Sequence, residues 1–330
     1  ISSVFNWLFL IIMNWFFILL AVLSIALYLP YFFKTIKLKR IEKSNIPDEG
    51  NWANLSDGNI YYRWFLPKEE LSNGETLVLV HGFSTPSFVW GGLIDNFCNS
   101  GFKVLVYDHF GRGFSERPRI NYDKELYVRS LKELLVDQGI EEKIHLVGYS
   151  MGGPIVGYFA EQYPNTTKSI SLIAPAGFQQ AMSGVNSWTI KPIIGEWFWH
   201  VFNNRIYGVG RMSETAYSED PLSINEEEFL SNFNKQLAFK GFTESLLSTV
   251  RHFNLLDCRR MYKNVGNLNI PTFVVWGKVD GVVPYSSSIN LKECIPHSEL
   301  LTIEEGTHDI TYRQPTEVGT AINNFLLTKT

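Results

Sequence analysis

Short blocks of hydrophobic residues alternate with polar stretches along most of the chain, and this pattern predicts strands separated by helices. Runs rich in β-branched residues predict strands at residues 60–66, 76–80, 103–107, 144–147, 169–173, 272–276 and 300–303. Apolar residues at helical spacing predict helices at residues 124–139, 154–162 and 315–327. Strands that alternate with helices indicate an α/β fold, in which helices cover both faces of a mostly parallel sheet.

The pattern changes between residues 176 and 268, where no convincing strand occurs. This region is rich in Trp and Phe and has helical patterns, for example at 226–239 and 243–253. A loop of this length without secondary structure would be unusual in a compact domain. The sequence therefore predicts a helical cap at 176–268, inserted between two parts of an α/β core at 51–175 and 269–330.

The first 33 residues contain no charged side chain and are almost entirely apolar. A membrane span needs about 20 apolar residues, so this segment is long enough to cross a bilayer. A signal peptide would have a shorter apolar core of about 7–15 residues after a basic start, and a buried core helix usually keeps a polar face. We therefore predict that residues 1–33 form a single-pass transmembrane anchor.

A basic linker at 34–50 follows the anchor and includes Lys34, Lys37 and Lys39. Positive flanks stay on the cytoplasmic side of a membrane, so we expect the large domain to be cytosolic. The sequons at Asn54 and Asn165 would favour the opposite side only if the domain were secreted.

Composition narrows the possible partners. The 330-residue chain has a net charge of −4 and no basic stripe interleaved with aromatic residues, which argues against nucleic acid as a partner. Its three widely spaced cysteines indicate neither a disulfide framework nor a zinc site, and they agree with a reducing compartment. We expect no metal and no cofactor, and the sequence leaves the oligomeric state open.

The strand pattern at 144–147 leads into Gly148-Tyr149-Ser150-Met151-Gly152, which has the form Gly-x-Ser-x-Gly. Between a strand and a helix, this form predicts a nucleophile elbow, a sharp turn that exposes the serine hydroxyl. Glycine suits such a turn because it adopts strained backbone angles at low cost and has no Cβ. The pentapeptide alone is equally compatible with a chance match on a surface loop, so the assignment of Ser150 as nucleophile depends on its partners.

A serine hydroxyl needs a base to take its proton and an acid to orient that base. Asp280 and His308 follow Ser150 in the order that α/β-hydrolases use, each in a loop after a predicted strand. Asp309 and Asp257 are the alternatives for the acid. Asp309 adjoins the histidine in sequence, so its side chain is expected to point elsewhere, and Asp257 is better explained as a capping or salt-bridge residue.

A tetrahedral intermediate also needs hydrogen-bond donors for its oxyanion. One is the backbone N–H after the nucleophile, which belongs to Met151, and the other comes from the loop after an early strand. Phe83, in the loop that follows residues 76–80, is the candidate for the second donor. We expect the nearby His81 to hold this loop by hydrogen bonds.

Taken together, these motifs resemble those of the α/β-hydrolase fold superfamily over about residues 51–327. The resembling segments occur in family order and are His81-Gly82-Phe83, Asp108-His109-Phe110-Gly111-Arg112-Gly113-Phe114-Ser115, Gly148-Tyr149-Ser150-Met151-Gly152-Gly153, Trp276-Gly277-Lys278-Val279-Asp280 and Gly306-Thr307-His308. The resemblance implies a Ser-Asp-His triad and a structural turn at 108–115. Epoxide hydrolases and haloalkane dehalogenases carry aspartate where this chain has Ser150, so the resemblance does not imply their chemistry.

The anchor and the Gly-Tyr-Ser-Met-Gly-Gly segment are most similar to membrane-anchored monoacylglycerol lipases and related lipid esterases. This narrower resemblance implies that the chain cleaves a carboxylic ester of an apolar or lipid substrate through an acyl-enzyme. Alternatives with the same motifs are a carbon–carbon bond hydrolase of the meta-cleavage-product type and an acyltransferase. A catalytically silent, hydrolase-like binding protein is the alternative outside enzymes.

Overall fold

The computed structural model describes residues 2–178, 185–203 and 219–329 of the chain. Its strands are β1 Asn51–Leu55, β2 Gly58–Phe65, β3 Thr76–Val80, β4 Lys103–Tyr107, β5 Ile144–Tyr149, β6 Thr167–Ile173, β7 Thr272–Gly277 and β8 Glu299–Ile303. Within the described residues they form one eight-stranded sheet in the order β1-β2-β4-β3-β5-β6-β7-β8. The pairs β1–β2 and β2–β4 are antiparallel, and the other neighbours are parallel.

The helices lie between these strands and at both ends of the chain. They are α1 Ser2–Thr35, α2 Gly91–Asn99, α3 Lys124–Asp137, α4 Gly152–Gln162, α5 Val185–Trp188, α6 Ile194–Val201, α7 Glu226–Leu237, α8 Phe242–His252, α9 Arg259–Asn267, α10 Ser287–Cys294, α11 Ile310–Arg313 and α12 Pro315–Leu327. The predicted α/β class is confirmed. The sequence pattern missed β1, a short edge strand that forms a hairpin with β2 through Gly58, which has a φ of +134°.

The central strands are buried on both faces, which explains their continuous apolar runs. In β3, Val78 and Val80 join the core beneath α3 and α4, whereas Leu77 and Leu79 join the core beneath α2 and α12. Two helical layers therefore hold the sheet between them. The carboxyl ends of its parallel strands are left at one edge, where ligand sites of open α/β sheets form.

Helices α5 to α9 lie between β6 and β7 in the described chain, and we propose that α5 to α8 form the cap. Residues 179–184 and 204–218 of the predicted cap lie outside the described part of the chain. Helix α9 packs instead on α4 and α10 of the core, where Met261, Tyr262 and Val265 are buried. We therefore propose that the cap ends before α9, earlier than the 176–268 range indicated by the sequence, because the apolar face of α9 is covered by core helices.

Helix α1 stands apart from the core over most of its length. Its segment Trp7–Thr35 spans 29 residues, is strongly apolar and is not buried against the rest of the described chain. By length and composition it is able to cross a membrane. Its C-terminal end packs on α6. The predicted linker continues along the cap, where Lys39 N donates to Ala238 O (3.0 Å) and Lys240 N donates to Lys39 O (2.7 Å).

Candidate active site

Ser150 lies on a sharp turn between β5 and α4, and its φ of +53° is in the left-handed region. Its backbone N–H donates to Ile173 O (2.9 Å), which ties the turn to the neighbouring strand. A Cβ on Gly148 would lie 2.5 Å from Gly152 O, and one on Gly152 would lie 2.0 Å from Val80 O. Only glycine fits at these two positions, so the local sequence itself permits the strained turn that presents the serine hydroxyl.

Three loops at the carboxyl ends of β5, β7 and β8 bring Ser150, Asp280 and His308 together. His308 Nε2 lies 3.0 Å from Ser150 Oγ, and His308 Nδ1 lies 2.8 Å from Asp280 Oδ2. The Asp280 side chain is fully buried, and its Oδ1 accepts hydrogen bonds from Val282 N and Val283 N, both at 2.8 Å. A carboxylate held in this way keeps the proton on Nδ1, which leaves the Nε2 lone pair facing the serine hydroxyl.

The two alternative acids have other partners. Asp309 Oδ2 lies 3.4 Å from Arg313 Nε, and Asp309 Oδ1 accepts a hydrogen bond from Thr307 Oγ1. The side chain of Asp257 is 62% exposed, and its Oδ1 accepts from Arg259 N (3.2 Å) at the start of α9. Neither Asp309 nor Asp257 hydrogen-bonds to the His308 ring, so Asp280 is the carboxylate that contacts the imidazole.

The candidate oxyanion donors Phe83 and Met151 line the same cavity as Ser150. Within the described residues, neither backbone N–H donates a hydrogen bond to a protein acceptor. Two unused amide donors beside a nucleophile are what a tetrahedral oxyanion requires. The arrangement is therefore compatible with the predicted oxyanion hole.

Two buried histidines support the loop after β3 that carries Phe83, which we call the oxyanion loop. His109 N donates to His81 Nε2 (2.9 Å), so that nitrogen carries no proton, and His81 Nδ1 donates to Gly82 O (2.9 Å). His109 Nε2 donates in turn to His81 O (3.0 Å). The His81 imidazole, which accepts at one nitrogen and donates at the other, is therefore neutral. Burial lowers the pKa of His81 well below its ordinary value and lowers the pKa of His109 to about 3.

A fully buried arginine, Arg112, joins this loop to the cap. Its Nε donates to Phe83 O (2.7 Å), its Nη1 to Ser245 Oγ (2.8 Å), and its Nη2 to Thr249 Oγ1 (2.9 Å) and Tyr127 Oη (3.3 Å). Among the described residues no carboxylate forms an ion pair with it. The charge is instead stabilised by neutral acceptors, one of which is the carbonyl of the candidate oxyanion residue.

Tyr149 contacts the candidate catalytic histidine, a role that the sequence analysis did not predict. Its hydroxyl donates to His308 O (3.0 Å), and its ring centroid lies 5.3 Å from the imidazole. Burial raises the pKa of Tyr149 well above its ordinary value, so the hydroxyl stays protonated and remains a donor. Tyr149 occupies the second position of the Gly-x-Ser-x-Gly pattern, where any residue is allowed. The pattern therefore does not predict its contact with His308.

The Ser150 hydroxyl opens into a cleft of about 980 Å³. The cap supplies Ile190 and residues 250–256 to its walls, and the core supplies the loop after β7. Most of the walls are apolar; the apolar side chains are Phe83, Met151, Ala176, Phe178, Ile190, Val250, Phe253, Leu255, Leu256, Val282, Val283 and Pro284. Among the described residues no group of three or more His, Cys, Asp or Glu side chains is arranged to hold a metal ion.

Known proteins resemble this chain in sequence and in architecture. Lipase 3 from Moraxella sp. (strain TA144) is 25% identical over 301 residues, which cover 83% of this chain and 83% of that protein. The monoacylglycerol lipase ABHD6 from Homo sapiens is 22% identical over 278 residues, which cover 76% of this chain and 75% of that protein. Both likenesses extend over most of each chain, at low identity.

Among solved structures, the crystal structure of a membrane phospholipase A, a bacterial virulence factor, has a TM-score of 0.67 at 17% identity. The likeness covers 96% of this chain and 97% of that chain, so it includes part of α1, and at this identity it shows the fold alone. The family model for the alpha/beta hydrolase fold matches residues 75–313. With that match over most of its length, this chain belongs to the α/β hydrolase fold family.

Proposed function

We propose that this protein is a serine hydrolase that cleaves carboxylic esters of lipids, with monoacylglycerol-like molecules as the substrate class. The observation that carries the proposal is the continuous hydrogen-bonded line from Asp280 through His308 to Ser150, with distances of 2.8 Å and 3.0 Å. Such a line activates a serine hydroxyl for attack on a carbonyl carbon.

The proposed reaction follows from this geometry. Ser150 Oγ attacks the ester carbonyl while His308 Nε2 takes its proton, and the imidazolium then protonates the leaving alcohol. The Phe83 and Met151 amides stabilise the oxyanion, and each such donor is worth about 2.7–4 kcal/mol of transition-state stabilisation. Water, activated by the same imidazole, releases the acyl group from Ser150.

Three features support a lipid as the substrate. The cleft has mostly apolar walls, which suit an acyl chain. Two relatives are named as lipases, one of them a monoacylglycerol lipase. The third feature is α1, which we propose is a single-pass membrane anchor that keeps the domain beside its substrate. The lysines that follow it, beginning with Lys34, favour a cytosolic position for the domain.

The proposal is tested with the full-length chain in detergent and a series of monoacylglycerols, phospholipids and short esters. Ser150→Ala is expected to lower ester hydrolysis by about 10⁴-fold or more, because the nucleophile is lost. Ser286→Ala, at another serine of the same cleft, should leave the rate nearly unchanged. A folded Ser150→Ala protein with the wild-type rate would show that Ser150 is not the nucleophile. Product analysis with competing alcohols separates hydrolysis from acyl transfer.

A further inference from the structure

The turn between α5 and α6 exposes a cluster of apolar side chains, and we call residues 188–194 the cap tip. Trp188 is 63% exposed, Ile193 is 85% exposed and Ile194 is 45% exposed. Ile193 also has a φ of +70°, which is unfavourable for a β-branched residue. An isoleucine that is both strained and exposed gains little from the fold in water, so the cap tip is suited to a contact outside the chain.

Helix α6 holds the cap tip beside the C-terminal turns of α1. The indole Nε1 of Trp197 donates to Leu27 O (2.6 Å). The Tyr31 ring meets the buried His200 ring edge-on, with centroids 5.3 Å apart. One turn further along, Lys34 Nζ donates to the side-chain oxygen of Asn203 (3.4 Å). The cap therefore lies against residues 27–34 of the helix that we propose to span the membrane.

The length of α1 indicates the depth of this contact. A bilayer has a hydrocarbon core of about 30 Å, which about 20 helical residues cross, whereas the apolar segment Trp7–Thr35 has 29 residues. Lys34 and Lys37 carry charges that stay in the headgroup layer, and Leu27 lies about 10 Å before Lys34 at 1.5 Å per residue. Residues 27–34 thus approach and enter the headgroup layer, and α6 lies at the same level.

We propose that the cap tip docks into the surface of the bilayer that α1 spans, with Trp188, Ile193 and Ile194 among the lipid headgroups. The occupant is the lipid bilayer itself, because the cap tip leads directly into α6, which packs on the helix that we propose to span the membrane. The cap tip also contains the exposed cation Lys191, which suits the phosphates of the headgroup layer. This inference rests on the anchoring role given to α1 in the proposed function.

Docking at the cap tip would also orient the active site. Ile190 belongs to the cap tip and lines the cleft that holds Ser150. Arg251 fixes this arrangement, since its Nε donates to Ile190 O (2.6 Å) and its Nη1 pairs with Glu196 Oε1 (2.6 Å). The cap tip and the cleft wall therefore form one unit. A lipid leaving the bilayer at the cap tip would meet the apolar wall of the cleft.

The substitution Ile193→Asn tests the docking without disturbing the fold. Asparagine tolerates a positive φ better than isoleucine does, and the replaced side chain packs little, so thermal stability should be unchanged or higher. With full-length protein in phosphatidylcholine vesicles that contain monooleoylglycerol, hydrolysis should fall by about tenfold, the effect of losing one buried isoleucine contact. The rate with a water-soluble short-chain ester should be retained. The matched control is Val136→Asn, on α3, where Val136 is 62% exposed.

A second measurement does not depend on activity. In a Cys98→Ser background, which removes the partly exposed native cysteine, Ile193→Cys and Val136→Cys are labelled with a polarity-sensitive fluorophore. Spin-labelled lipids should quench the label at position 193 more strongly than at position 136. Equal quenching, or an Ile193→Asn protein as active on vesicles as wild type, would overturn the docking. If wild type hydrolyses neither ester, the proposed function fails while the quenching still tests the docking.

Discussion

At the scale of single residues, the direction of the His308 imidazole is set by Asp280. One carboxylate oxygen accepts two backbone N–H groups and the other faces His308 Nδ1, so the carboxylate has no freedom to rotate. Asp309 directly follows the histidine in sequence, but its carboxylate is paired with Arg313. The role of an acidic residue here depends on the backbone groups around it more than on its distance along the chain.

We therefore predict that Asp280→Asn lowers kcat for ester hydrolysis by about 10³–10⁴-fold. The amide can present N–H donors to His308 Nδ1, which favours the tautomer with its proton on Nε2, where it cannot accept the proton of Ser150. KM should change little, because Asp280 does not contact the substrate. Asp309→Asn is the control and should keep most of the activity. Equal kcat values for the two variants would contradict the assignment of Asp280.

At the scale of elements, the buried guanidinium group of Arg112 is one of the groups that join the cap helix α8 to the core. Arg112 lies on the turn after β4, and its hydrogen bonds reach Ser245 and Thr249 on α8 and Phe83 on the oxyanion loop. The sequence predicted α8 from its periodicity, but periodicity does not tell which neighbour its polar face will meet. A buried charge of this kind needs all of its acceptors, because an unsatisfied donor retains its full desolvation cost.

Thr249→Val is expected to lower the free energy of unfolding by about 1.5–3 kcal/mol, since it removes a hydrogen-bond acceptor from a charged donor while keeping the side-chain shape. Urea unfolding of the full-length protein in detergent measures this change. Thr249→Ser keeps the hydroxyl and should be less destabilising. If the serine variant loses as much stability as the valine variant, packing rather than the hydrogen bond to Arg112 is responsible.

At the scale of the whole molecule, buried neutral histidines couple stability to pH. The hydrogen bond that His81 Nε2 accepts requires that ring to be uncharged, and burial lowers the pKa values of both His81 and His109 below the ordinary value of about 6.5. In the unfolded chain these two histidines bind protons below about pH 6.5. In the folded chain they stay neutral until the pH approaches their lowered pKa values. Their contribution is therefore complete above about pH 6.5 and is lost progressively as the pH falls toward about 3.

We predict that the free energy of unfolding falls as the pH is lowered from about 7 to about 5, and that His109→Phe reduces this slope by up to about 1.4 kcal/mol per pH unit. Denaturant unfolding at several pH values measures the slope. Tyr107→Phe is the matched control, because Tyr107 packs on the His109 ring with centroids 5.1 Å apart and burial raises its pKa. A slope in His109→Phe equal to that of Tyr107→Phe would contradict the prediction.

The sequence by itself was sufficient to predict the α/β architecture and to select Ser150, Asp280 and His308 as one group. Each follows a strand, and the carboxyl ends of parallel strands meet at one edge of a sheet whatever the details of packing. The glycines at 148 and 152 likewise indicated the sharp turn at Ser150, because the surrounding backbone leaves no room for a Cβ at either position. Local rules of this kind can be read from neighbouring residues.

Only the tertiary structure decided which surfaces meet across long sequence separations. The contact of Trp197 with Leu27, the reach of Arg112 to α8 and the hydrogen bond from Tyr149 to His308 join residues 170, 137 and 159 positions apart. Such contacts depend on how elements rotate and pack against one another, and hydrophobic periodicity records only that a face is buried. The sequence thus selects the candidate reacting groups, whereas packing determines how they are supported and which side of the proposed cap lies beside α1.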